Sequence, residues 1–187
     1  MRSSRTLKVL TYGARVLRKR AKPVTEFEGM EELGRLMLEE MNRLHGVGLA
    51  GPQVGVDQRV IVADPSSFDA TLKPMVLINP EIVERKGEEL GIEGCLSLPG
   101  IEVEVKRSKE IQVKAQDTRG KPIELRLKNF PARILQHEID HLNGTLLLDY
   151  LPPFERILAI WKLKKKQWRT GSEFIKEKER EALVSQL

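Results

Sequence analysis

The chain has 187 residues, 40% of them apolar and 32% charged, a balance that suits one soluble domain with its own core. No apolar run approaches the roughly 20 residues of a membrane span, and the basic start MRSSRTLKVLTYG is not followed by the apolar segment of a signal peptide, so the expectation is a cytoplasmic protein with no membrane partner. The formal charge is +5, and a single cysteine, Cys95, excludes an internal disulfide.

The first element is a helix between Gly29 and Gly46. Met30, Leu33, Met37, Met41 and Leu44 recur at steps of three and four, and Gly46 supplies a stop. The stretch GVGLAGPQVG that follows is too rich in Gly and Pro to predict a regular element. Residues 59–63 and 75–78 read as buried strands, separated by a loop at Pro65–Ser67, and Asn79–Pro80 interrupts the second. From Ile101 the period switches to two. Residues 101–107, 110–115 and 121–128 alternate as half-buried antiparallel strands do, with a turn at 117–120. Pro131 opens a second helix, Leu135, Ile139 and Leu142 form its apolar stripe, and Gly144 ends it. Pro152–Pro153 sets off a last helix from Phe154 to about Arg169, whose apolar face includes Ile157, Leu158 and Trp161. Beyond Gly171 the tail reads equally as a short amphipathic helix or a frayed end. Strands fall in one block with a helix before and after, which predicts an α+β fold rather than βαβ units.

The segment QHEIDHLNG carries the chemistry. His137 and His141 are four apart, so on a helix both imidazoles share a face and can chelate one cation. Glu138, about 100° round the helix, reaches beside the cation without ligating it and can exchange a proton with water there; this is the HExxH arrangement. A third ligand is needed. The extended form of the motif would place a histidine at position 147, which is Leu147, and Glu155 lies beyond the Pro152–Pro153 break. His45, next to a glycine loop at a helix end, reads as a surface or capping residue. The remaining candidate is Cys95 in EGCLSLPG; a thiolate suits divalent first-row metals, and a Cys-His-His set leaves one position open, as catalytic sites do.

GVGLAGPQ (46–53), EGCLS (93–97) and QHEIDHLNG (136–144) together resemble the three signature motifs of the peptide deformylases, in the same order, and the likeness spans roughly Leu7 to Arg169. The first motif departs from the family at Gly51, where a second alanine is usual. The resemblance implies a single catalytic domain, residues 1–170, with antiparallel strands packed around a central HExxH helix, an N-terminal and a C-terminal helix, and a tail at 171–187. It implies hydrolysis of the formyl group from the N-terminal formyl-methionine of nascent polypeptides, releasing formate. It implies one divalent metal per chain, Fe(II) natively, with Ni, Co or Zn able to replace it. Cys95, His137 and His141 match the ligands, Glu138 the acid/base, and Gln53 with the backbone N–H of Leu96 the groups that hold the developing oxyanion. Gly48 matches a backbone contact to substrate, Ile134 and His137 a wall of the methionine pocket that extends to Leu135 in some readings, and Arg107, counted with the substrate-binding residues, a basic position after EGCLS that reads either as a tether for a strand near the site or, by default, as a surface arginine. Asp140 reads either as a residue orienting a ligand or as a solvated carboxylate.

Two other readings stand beside this one. A metallopeptidase cutting internal bonds would share the HExxH but lacks its usual third ligand. A ribosome- or RNA-binding module is motivated by Trp161–Arg169, which carries five positive charges and no negative one; the same run reads equally as a solvated helix face. Formyl-methionyl peptides and the ribosome are therefore the expected partners, DNA and membranes are not, and monomer and dimer both fit.

Overall fold

The computed structural model describes residues 7–165. The end of the basic run, 166–169, and the tail after Gly171 lie outside the described residues.

Helix α1, Met30–Arg43, follows Gly29, which takes φ of +79° at its N-cap. Met30, Met37 and Met41 are buried, and each contributes about 1.5–3 kcal/mol relative to exposure. Gly34 sits where a Cβ would come 2.7 Å from a Val76 methyl, so the helix lies close on its sheet. After α1, His45 turns the chain with φ of +56°, and the Gly-rich segment resolves into more order than its composition predicts. Strand β1, Gly48–Ala50, is wholly buried and leads into a 3-10 turn at Gly51–Val54.

Strands β2, Val60–Ala63, and β3, Met75–Lys86, follow. Asn79–Pro80 does not end β3 as expected. Asn79 takes φ of +51°, a conformation asparagine tolerates, and the register against a later strand shifts between Ile78 and Glu81. The Asn79 side chain bonds the backbone N–H and C=O of Val24, so the bulge is anchored and the strand continues.

Strand β4, Glu89–Gly94, was not expected from periodicity; it pairs with β5, Glu102–Arg107, in a separate two-stranded sheet. Its sequence ELGIEG holds two glycines and leaves Leu90 and Ile92 exposed, so it shows no clean alternation. Strands β6, Glu110–Gln116, and β7, Pro122–Lys128, complete a five-stranded antiparallel sheet in the order β1-β2-β3-β6-β7.

Helix α2, Asn129–Leu142, lies across this sheet, burying Leu135, Ile139 and Leu142 with Ala50, Ile61 and Val113. Gly144, with φ of +75°, ends it as expected. Gln136 fixes its azimuth, donating to the Ser108 carbonyl and accepting from the Ser108 N–H. A 3-10 turn at Leu147–Tyr150 follows, then helix α3 over residues 153–165. Helix α3 packs on the domain through residues other than Ile157, Leu158 and Trp161. Ala159 and Leu163 are buried against Leu146, Leu148 and Val103, while Ile157, Leu158 and Trp161 are exposed. The apolar period marked the helix, but Ala159 and Leu163 on the opposite side are the residues that pack inward. The result is one α+β domain with α2 at its centre.

Candidate metal centre and active site

Two of the proposed ligands, His137 and His141, come from the middle of α2, one turn apart, with ring centroids 5.0 Å apart. The third, Cys95, stands on a turn just after β4, closed by the Leu98 N–H donating to the Cys95 carbonyl at 2.9 Å. The Ser97 carbonyl accepts from the Tyr12 N–H, which ties this turn to the N-terminal segment. Cys95 Sγ lies 3.2 Å from His141 Nε2, and one ligand atom from each of the three residues falls within 4.8 Å of the others. Bonds of 2.3 Å to sulfur and about 2.0–2.1 Å to nitrogen at tetrahedral angles would put ligand atoms roughly 3.5 Å apart. The set therefore matches a divalent cation in spacing and in chemistry. Among the described residues it is the cluster that does so, and His45 is not part of it.

Glu138 points from the same helix into the same space. It is 4% exposed, and its Oε2 has no hydrogen-bond partner among the described residues. Burial, reinforced by the charges of Glu93 and Asp140 and opposed by His137, pushes its carboxyl up to about 7. An unpartnered buried carboxylate is expensive unless a cation or a proton accompanies it, which is a second sign that the pocket is built around a metal.

Gln53 completes this side. Its Oε1 accepts the Ala50 N–H at 2.8 Å, which turns Nε2 toward Ser97 Oγ at 3.3 Å and Cys95 Sγ at 3.6 Å. The amide is 1% exposed and so held as a donor beside the cation site. The departure at Gly51 has a local cause: a Cβ there would come 2.8 Å from the Gln58 carbonyl oxygen and 2.9 Å from a Val60 methyl. Glycine lets the 3-10 turn carrying Gln53 lie against the β2 segment.

A cavity of about 570 Å³ opens beside these groups, lined by Val47, Leu96, Phe130 and Ile134 with Ile92 at its margin. Gly48 lines it as well, and Leu135 is core behind the wall. Gly48 has a further role that backbone access alone does not predict. A Cβ at this position would come 2.8 Å from Glu138 Cδ and 2.9 Å from Cγ, so the missing side chain is the room Glu138 occupies.

Arg107 lies outside the cavity lining. Its guanidinium bonds both oxygens of Glu93 at 2.9 Å, Asp140 at 2.6 Å and the Tyr150 hydroxyl at 2.9 Å. Burial works against its charge, but Glu93 and Asp140 hold its pKa above the ordinary value. Four of its five N–H donors are spent within this cluster, which joins β5 to β4 and α2. Asp140 faces this cluster, also accepting the Tyr150 hydroxyl at 2.7 Å.

Glu93 is the residue sequence reasoning passed over. One oxygen accepts from Arg133 at 2.9 Å, the other lies 3.0 Å from His137 Nδ1. Burial alone would raise its pKa, but the Arg107 and His137 bonds outweigh it and hold the carboxyl at about 2. With Nδ1 committed to Glu93, the opposite nitrogen of His137 faces the cation site. Glu93 stood in a recognised motif two residues before Cys95, but only the β4 geometry turns it toward α2. Arg133 also bonds the carbonyls of Val105 and Glu89, welding the β4–β5 hairpin to the ligand helix.

A family model described as polypeptide deformylase matches residues 6–156. The chain belongs to the peptide deformylase family. It is 48% identical over 153 residues to a peptide deformylase of Thermotoga neapolitana, covering 81% of this chain and 90% of the relative. It is 51% identical over 138 residues to one from Dictyoglomus thermophilum, covering 73% and 87%. Among solved structures, a peptide deformylase from Legionella pneumophila superposes with a TM-score of 0.82 at 42% identity, covering 89% of this chain and 98% of that one. One from Ehrlichia chaffeensis in complex with actinonin gives 0.81 at 36%, covering 86% and 97%. The deformylase fold and activity expected from the three motifs therefore hold: this is a metal-dependent hydrolase that deformylates nascent polypeptides.

Proposed function

We propose that Cys95, His137 and His141 hold the metal, with Fe(II) as the native ion, and that Glu138, Gln53 and the Leu96 N–H carry the reaction of formyl-methionyl peptides. The convergence of Cys95 Sγ on the two α2 imidazoles carries this reading. When bound, the cation supplies Lewis acidity for nucleophile formation at neutral pH and for polarising the formyl oxygen.

The protein's own groups do the rest. Glu138, with a carboxyl near 7, takes a proton from the attacking water and passes it to the departing amine nitrogen. Its raised value suits both directions of transfer near neutrality. As the formyl carbon becomes tetrahedral, charge gathers on its oxygen, and Gln53 Nε2 and the Leu96 N–H donate to it. One such donor is worth about 2.7–4 kcal/mol. A neutral amide serves here without adding a charge beside Glu138. The methionine side chain occupies the cavity against Ile134 and Phe130. The uncovered backbone at Gly46–Gly48 and the open edge of β4 accept the peptide as an added strand. Residues 1–170 form the catalytic unit.

The metallopeptidase alternative shares the HExxH but gives no reason for a cysteine among the candidate ligands. The deciding experiment compares formyl-Met-Ala, its acetyl analogue and a longer unmodified peptide, with wild type and Glu138→Gln. Formate release from the first substrate only, abolished in a variant that keeps its metal, is the expected result. Cleavage of the unmodified peptide would refute the reading. For partners, the exposed Lys162, Lys164 and Lys165 on α3 support contact with the ribosome. Such binding should weaken steeply with salt; salt-insensitive binding would exclude it.

A further inference from the structure

The rim of the cavity carries an aromatic pair that the reaction leaves unused. Phe130, on the first turn of α2, lines the cavity. Phe68 comes from the segment between β2 and β3 and lies against it, with ring centroids 4.1 Å apart and planes tilted by 40°. Both rings stay open to solvent, Phe68 at 50% and Phe130 at 37%. One exposed aromatic ring needs no explanation, but two in contact beside an apolar cavity form a surface. The segment that holds Phe68 is ordered by its own polar groups. The Asp64 N–H donates to the carbonyl of Val47, itself a lining residue, and Asp64 Oδ1 accepts from the Ser66 N–H and hydroxyl. The N–H groups of Phe68 and Asp69 donate to the Pro65 carbonyl, and Asp69 Oδ1 accepts from the Thr71 N–H and hydroxyl. Leu72 closes the segment by packing into the core shared by α2 and the sheet. Phe68 is therefore presented on a bonded turn in a set place beside the cavity.

We infer that Phe68 is a specificity-determining residue, which with Phe130 receives the side chain of the substrate's third residue and favours an aromatic one there. The inference rests on the reading that the methionine enters the cavity with the peptide extended as an added strand. In such a strand alternate side chains share a face, and residues one and three stand about 7 Å apart. With the first side chain in the cavity, the second turns away and the third returns to the cavity side, at its rim. Phe130 belongs to the wall met by the methionine, and Phe68 extends that wall outward by one ring. The cavity, at about 570 Å³, is of the size that encloses a drug-sized ligand, so one methionine side chain does not exhaust it. The opposite lip is Ile92 on β4, an aliphatic side chain that offers no ring to stack on. An aromatic third residue gains a ring contact at Phe68 that alanine cannot make, and a peptide that stops at residue two cannot reach it.

The test measures formate release by the full-length protein from formyl-Met-Ala-Ala, formyl-Met-Ala-Phe and formyl-Met-Phe-Ala. Wild type should favour the second over the first by about two- to tenfold in kcat/KM, the worth of one aromatic pair, with the gain in KM. The third substrate should show no such gain. Phe68→Ala should erase the preference and Phe68→Tyr should keep it. Each preference is a ratio taken on one preparation, so a partly unfolded variant still reports it. Equal kcat/KM for the first two substrates in wild type would overturn the inference. So would a preference that survives Phe68→Ala, or one that Ile92→Ala abolishes in its place, because the third side chain would then lie on the β4 lip. The placement of methionine is tested apart from this: formyl-Ala-Ala-Phe hydrolysed as well as formyl-Met-Ala-Phe would refute it, whatever Phe68 does.

Discussion

Gly48→Ala isolates the placement of Glu138 from everything else in the site. The new Cβ would stand 2.8 Å from Glu138 Cδ, where carbon atoms in contact prefer about 3.5–4.0 Å. Position 48 is buried in β1, which is paired to β2, so the strand cannot retreat and the carboxylate must move by roughly 1 Å. A displacement of that size costs about 100-fold in rate, or about 2.7 kcal/mol of barrier. The atoms nearest the new Cβ all belong to Glu138 and none to Cys95, His137 or His141, so metal content should match wild type. The assay is kcat/KM for formate release from formyl-Met-Ala, with metal content and a thermal melt recorded on the same preparation. A folded, metal-replete variant with near wild-type kcat/KM would refute the reasoning, because Glu138 would then not need the position it holds.

Gln53→Ala removes one oxyanion donor and should lower kcat by about 10²–10³ with metal content unchanged, as checked by steady-state kinetics beside metal analysis. Glu93→Ala leaves Arg107 and Arg133 facing a buried gap and frees His137 Nδ1. It should cost about 3–5 kcal/mol in denaturant unfolding, and cobalt affinity should fall about 10–100-fold; loss of neither would show the carboxylate to be incidental. The iron form should lose activity in air faster than the nickel form, with mass spectrometry finding oxygen added at Cys95. Equal lifetimes would point away from iron. Asp149, held below the usual carboxylate range by the Leu146 N–H and Arg18 against the cost of burial, should add stability above the ordinary carboxyl pKa. That increment is lost as pH falls through its depressed folded value, so the acid-melting difference between wild type and Asp149→Asn should vanish at low pH.

Both long helices and the strands from Ile101 onward were legible because each buries one face, and burial of one face leaves a period in the sequence. Strand β4 was not, since Arg133 rather than an apolar core covers its inner face at Gly91 and Glu93. The same fact hid Glu93: its partners Arg107, Arg133 and His137 are 14, 40 and 44 residues away, and only folding brings them together. Asn79–Pro80 read as a stop because nothing local shows that Val24 would hold the bulge. Which face of helix α3 packs inward was not legible, since the space beside Leu148 is filled by Ala159 and Leu163 while Ile157, Leu158 and Trp161 stay exposed. The clustering of Cys95 with His137 and His141 was legible, since HExxH spacing is local and Cys95 was the one thiol left to complete it.

The three candidate ligands come from two parts of the fold. His137 and His141 ride on a helix fixed by Gln136 and buried leucines, whereas Cys95 sits on the turn between β4 and β5, closed by Leu98 and tied to the chain start through Tyr12. Arg133 reaches from that helix to the carbonyls of Glu89 and Val105 on the two strands of the hairpin. The sulfur and the two imidazoles thus meet at one point because polar contacts, and not an apolar core, join hairpin to helix.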